Sequence, residues 1–123
     1  MRETEITLSG QSLRLVADFK ASMEISSMVG DPLTIMREAT LEAALIQEGI
    51  PYEPKWRFTL ANVRDILWIG LKNADSKMSK SELEALIFDA GLLAAKEAAA
   101  EYLTLIFGPK PEEVSAGSGD SGN

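Results

Sequence analysis

At 123 residues the chain is long enough for one domain and too short for an enzyme that carries a cofactor domain of its own. With 46% hydrophobic and 25% charged residues it has the composition of a folding sequence, and 12 basic against 19 acidic side chains, net −7, argue against a nucleic-acid backbone or an anionic membrane as main partner, since both would repel it. It has no histidine and no cysteine, which removes the usual general base, the common zinc and copper ligands, thiol nucleophiles and disulfides, so carboxylates and lysines would have to carry any chemistry.

The charged start Met1 to Glu5 lacks an apolar signal core, so the protein is expected to stay where it is made, and the absence of cysteine suits a reducing cytoplasm. Ile6 and Leu8, then Leu13, Leu15 and Ala17, alternate with polar residues, which predicts a β-hairpin over residues 4–18. Gly10-Gln11 is the expected two-residue turn, placing Leu8 opposite Leu13 and Ile6 opposite Leu15. Such a ribbon is marginal alone and must lay its apolar face on helices.

Asp18 is placed to cap a helix over about 18–29 carrying Phe19, Met23, Ile25 and Met28, with Gly30 as a left-handed stop. Asp31-Pro32 starts a second helix, 32–48, whose apolar stripe is Leu33, Met36, Ala39, Ala43 and Ile46, up to Gly49. The stretch 50–58, with two prolines and three aromatics, reads as a connector that packs. Thr59 caps a third helix, 59–72, with Leu60, Val63, Leu67 and Leu71 as its stripe, flanked by Ile66 and Gly70. Ser79 and Glu82 form a capping box, with Met78 and Leu83 as a hydrophobic staple, opening a fourth helix over 79–90 that carries Leu83, Leu86, Ile87 and Ala90. After Gly91 an alanine-rich helix, 92–107, puts Leu92, Ala95, Ala99, Tyr102 and Ile106 on one face; Lys96, Glu97 and Glu101 interrupt it, so it reads as amphipathic and does not suit a bilayer span. Residues 109–123 are rich in glycine, serine and acid, the composition of a disordered tail. The expected fold class is α+β, mostly α: an N-terminal hairpin packed on about five helices in a single globular domain, residues 1–108.

Motifs for chemistry fail on context. Gly117, Gly119 and Gly122 match a dinucleotide fingerprint but lie at the chain end, with no strand before and no helix after. Asn73, Asp75, Lys77 and Glu84 mimic calcium-loop spacing, yet a cation stands at the fifth position, and the capping box explains the same region. The pairs Glu38 with Glu42, Glu82 with Glu84, and Glu97 with Glu101 read as solvated helix faces, because a catalytic pair would need burial to separate its pKa values. The chain is accordingly read as non-enzymatic, with no cofactor and no metal.

Candidate partner contacts are Met23, Met28 and Met36, whose flexible thioethers suit a surface that repacks, although core filling accounts for at least two of them. Trp56 and Phe58, beside Lys55 and Arg57, could stack a nucleobase or rest on a partner's acidic face; the structural alternative is that they close the core over the third helix while the cations point outward. Trp68, one residue off its helix stripe, reads as a boundary residue and, if exposed, as a hot-spot candidate.

The order of these elements resembles the tail assembly chaperones of long-tailed bacteriophages and prophages, in the gene-transfer-agent branch also labelled phage tail tube proteins. The similarity rests on residues 5–24 (EITLSGQSLRLVADFKASME), 58–71 (FTLANVRDILWIGL) and 78–87 (MSKSELEALI), then Gly91 and the last helix. It covers roughly residues 3–107; the chain departs at the bulky 48–57 connector with Pro51 and Pro54. The resemblance implies a cytoplasmic chaperone that binds and solubilises the tape measure protein during virion assembly through apolar, polyvalent contacts. For some members it also suggests a longer frameshifted form; tail tube protein as a second partner and self-association are left open by the sequence. No nucleic acid and no membrane are expected as partners. The alternatives are a structural tail subunit of the particle and a cellular helical adaptor or regulator.

Overall fold

The computed structural model describes residues 2–108. The hairpin consists of β1 (Arg2–Leu8) and β2 (Gln11–Ala17), followed by α1 (Phe19–Met28), α2 (Pro32–Gln47), α3 (Leu60–Asn73), α4 (Lys80–Ala90) and α5 (Leu92–Phe107). Helix starts are local events. Asp18 accepts from the Ala21 amide at 2.8 Å, Asp31 from Thr34 at 3.1 Å and Thr59 from Asn62 at 3.1 Å, each satisfying an amide that the first turn leaves free. The capping box is complete: the Glu82 amide donates to Ser79 Oγ at 3.1 Å and the Ser79 amide to Glu82 Oε1 at 2.8 Å.

The hairpin differs from expectation in register. Its turn is Ser9-Gly10, both left-handed (φ 52° and 78°), so Ile6 faces Leu13, Thr4 faces Leu15 and Leu8 faces Gln11. A two-residue shift keeps every side chain on its face, so the apolar alternation cannot tell the two registers apart. Backbone geometry decides. Two successive positive φ values give a turn whose twist matches the strands, and the ladder gains a rung by reaching Arg2 opposite Ala17.

One hairpin face buries Ile6, Leu8, Leu13, Leu15 and Ala17. It lies on α3 and α5, and α3 also packs against α1 and α4, which makes it the central element. Val63, Ile66, Leu67, Ile69, Gly70 and Leu71 of α3 are buried, as are Leu83 and Ile87 of α4. Helix α5 contributes Ala95, Ala98, Ala99, Tyr102 and Leu103. Leu60 and Leu92, expected on inward stripes, are instead exposed, because each opens its helix one turn before the helix reaches the core.

Tyr102 joins helix to sheet. Its fully buried hydroxyl donates to the Val16 carbonyl oxygen at 2.6 Å, and burial pushes its pKa well above the ordinary phenol value. Tyr102→Phe leaves that carbonyl without this donor, for an expected loss of about 1 to 3 kcal/mol in urea unfolding. A wild-type midpoint in the variant would show that the bond contributes nothing. At the other end, Arg2 Nη1 donates to the Leu105 carbonyl at 2.7 Å and also to Gly108, fastening the last turn of α5 to β1.

Candidate functional site

Helix α2 carries the largest departure from the sequence reading. Its periodicity offers two faces: Leu33, Met36, Ala39, Ala43 and Ile46 on one, Ile35, Glu38, Leu41, Glu42 and Leu45 on the other. The more apolar face was expected inside. It is outside: Leu33 is 68% and Ile46 60% exposed, with Met36, Ala39 and Ala43 also exposed. Ile35 and Glu38 are buried, while Leu41, Glu42 and Leu45 are half-buried.

Glu38 explains the choice. Read from sequence as part of a solvated face, it is only 1% exposed, and one carboxylate oxygen accepts from the Tyr52 hydroxyl and from the Lys55 amide, both at 2.7 Å. The Lys55 amide first and the Tyr52 hydroxyl second hold its pKa below the usual carboxylate value, outweighing desolvation; Arg37, 3.9 Å away, adds a smaller pull. The same bond raises the Tyr52 pKa. Residues 50–58 thus pack as expected, and they do so by supplying donors to a buried acceptor, which a wholly apolar face could not use. No apolar count can see this, because the donors lie 14 and 17 residues further on.

Helix α1 repeats the pattern. Ala21 and Ile25 are its buried residues, whereas Phe19 is 80% exposed and Met23 and Met28 are exposed as well. Core filling by the methionines is therefore overturned: Met23, Met28 and Met36 all face solvent. They do not form one stripe, since Met23 follows Phe19 by a turn, Met28 points elsewhere on α1, and Met36 belongs to the outer face of α2. The stop at Gly30 is also different, with φ 159° and no left-handed turn. Glycine is required there on two counts: φ 159° is a conformation that L side chains rarely adopt, and a Cβ would sit 3.0 Å from the Trp56 ring.

Trp56 and Phe58 are half-buried and pack against the core, with Lys55 and Arg57 exposed. They close it at the end of α1, with Trp56 Nε1 donating to the Val29 carbonyl at 3.3 Å. Their rings meet edge to face, centroids 4.8 Å apart at 74°, and Lys96 Nζ stands 5.8 Å from the Phe58 centroid. Trp68 is half-buried against the core, a boundary residue.

Three hollows follow one another beside these aromatics. The first, about 500 Å³ and mostly apolar, lies between Leu60 and Ala61 of α3, Ile87 and Phe88 of α4, and Leu92 of α5, with Arg64 and Glu84 on its rim. The second, about 290 Å³, shares Leu60 and Leu92 with it and adds Phe58, Leu93 and Lys96. The third, about 330 Å³, shares Phe58 and Lys96 with the second and ends at Trp56, Ala39 and Glu42. Phe88 is 81% exposed. Sequence reasoning missed Phe88, Leu93 and Lys96. The adjacent pair Leu92-Leu93 was the available signal, since two neighbours on a helix lie about 100° apart and cannot both centre on the core.

Three of the other paired acids have structural partners. Glu84 meets Arg64 at 3.3 Å, Glu101 accepts from Thr4 at 2.9 Å, and Glu82 serves its cap. Asn73, from the calcium-like spacing, donates to Glu24 and to the Ile69 carbonyl, each at 2.8 Å. Among the described residues no group of three or more acids could hold a metal ion, and no helix is long and apolar enough to cross a membrane. The glycine-rich fingerprint and the expected disordered tail, 109–123, lie outside the described residues. Comparison of the chain with protein-family models, with curated proteins and with solved structures finds no match.

Proposed function

We propose that this domain is a non-enzymatic binding module that coats apolar protein segments, and that it acts as a tail assembly chaperone of a long-tailed phage, prophage or gene transfer agent. In this role it works in the bacterial cytoplasm and keeps the tape measure protein soluble while the tail forms. The observation that carries the reading is the orientation of α2, whose apolar stripe, Leu33 to Ile46, faces out while a glutamate is buried behind it. Satisfying Glu38 turns this stripe outward, and an uncovered apolar stripe carries a risk of aggregation and marks an interaction surface. A long helical client with exposed apolar stripes of its own is the kind of partner such a face suits. The net charge of −7 would keep coated complexes dispersed. The order of hairpin and five helices adds the resemblance to the tail assembly chaperones.

Co-expression with an amphipathic segment of the tape measure protein from the same genome tests this. The segment should move into the soluble fraction, in complexes whose mass by light scattering corresponds to several copies of the chaperone. Met36→Lys with Ile46→Lys, on exposed positions, should leave the circular dichroism spectrum unchanged and return the segment to the pellet. A segment that precipitates with the wild-type protein as it does alone would end this reading.

A further inference from the structure

We infer that the three adjoining hollows around the N-terminal end of α5 form one docking trough for an amphipathic helix that carries a carboxylate in the middle of its apolar stripe. This site meets the outer stripe of α2 only at Ala39 and does not depend on the identity of the client. Apolar character comes first: Leu60, Phe88, Leu92 and Leu93 are large, exposed and gathered from three helices around two hollows that share Leu60 and Leu92. The trough is lined by helices and the 50–58 connector, with no strand among its walls. An extended peptide would find no ladder of backbone partners there, whereas a helix brings its backbone hydrogen bonds with it.

Charge then says where the acid belongs. Arg64, at one end, is already engaged by Asp65 at 3.0 Å and Glu84 at 3.3 Å, and Arg57 by Glu53 at 2.9 Å. Lys96 has no ion-pair partner among the described residues, and it stands where the second and third hollows meet, its ammonium near the Phe58 ring. Glu42, at the connector end, would repel an acid placed there. A free cation mid-trough, between apolar walls, in a chain of net charge −7, matches a client with large apolar side chains on either side of one carboxylate.

Two synthetic helical peptides of about 18 residues, five turns, identical except for Glu or Lys at the centre of a leucine stripe, are titrated calorimetrically and by tryptophan emission. The Glu peptide should bind about tenfold or more tightly than the Lys peptide, with the preference shrinking at high salt. Lys96→Glu should reverse the preference, Lys96→Gln should abolish it, and Leu93→Ser should weaken both peptides. Equal affinities, or a preference that survives both Lys96 variants, would overturn the inference. Failure of both peptides would do the same, as would a doubled solution mass showing a second copy in the trough. None of these results bears on whether the tape measure segment is solubilised through α2.

Discussion

Gly70→Leu should strongly destabilise the domain. Gly70 lies inside α3, where the helix meets the hairpin and α5 together: a Cβ would sit 3.0 Å from Leu15 Cβ and 3.1 Å from the Tyr102 ring. Neither neighbour can retreat. Leu15 is held in a strand at full burial, and the Tyr102 ring is anchored by its bond to Val16. Overpacking a closed core costs about 1 to 3 kcal/mol and more where the backbone must shift. Glycine is itself a poor helix former, by about 1 kcal/mol against alanine, so its presence in mid-helix marks a site where close approach outweighs propensity. For a domain of this size a loss of about 3 kcal/mol lowers the melting temperature by roughly 12 to 24 °C. Gly108→Ala is the matched control, since a Cβ there meets nothing within 4 Å and φ is −101°. Equal melting temperatures for Gly70→Leu and wild type would show that α3 and the hairpin do not meet as described.

Glu38→Ala should release α2. The helix sits at the edge of the domain, against α5 and α1, and Ile35 is its one fully buried apolar side chain. Removing the carboxylate leaves the Tyr52 hydroxyl and the Lys55 amide without their acceptor and frees the connector as well. Amide exchange across residues 32–48 should accelerate about tenfold or more, while the core amides of α3 and α5 keep their protection, since local and global opening are separate events. Uniform acceleration through the whole chain would contradict a local latch.

The latch also has a pH signature. The Glu38 pKa is lowered by folding, so its contribution is complete above the ordinary carboxyl value, about 4.3, and is lost as pH falls from there through the depressed native value. Urea midpoints should therefore drop between pH 6 and pH 3, and the drop should be smaller in Glu38→Gln, which keeps the shape without the titrating group. Glu3, Glu24 and Glu82, whose pKa values are also lowered, account for the slope that remains. An unchanged acid slope in Glu38→Gln would remove Glu38 from this linkage.

Helix starts were legible in the sequence because capping is local: Asp18, Asp31-Pro32, Thr59 and the Ser79/Glu82 box sit within three residues of the amides they satisfy. The apolar face of the hairpin and the inward sides of α3 and α4 were legible too, since in each a single apolar stripe had no rival. The hairpin register was not, because a shift of two preserves the alternation, and the backbone geometry of Ser9-Gly10 decided it. Which way α2 faces was settled only in three dimensions. Two faces competed, and the less apolar one won because Tyr52 and Lys55, far along the chain, arrive with donors for Glu38. The trough likewise belongs to no single segment. Leu60, Phe88, Leu92 and Leu93 become one surface when the core residues of α3, α4 and α5 pack and leave the helix ends around them uncovered.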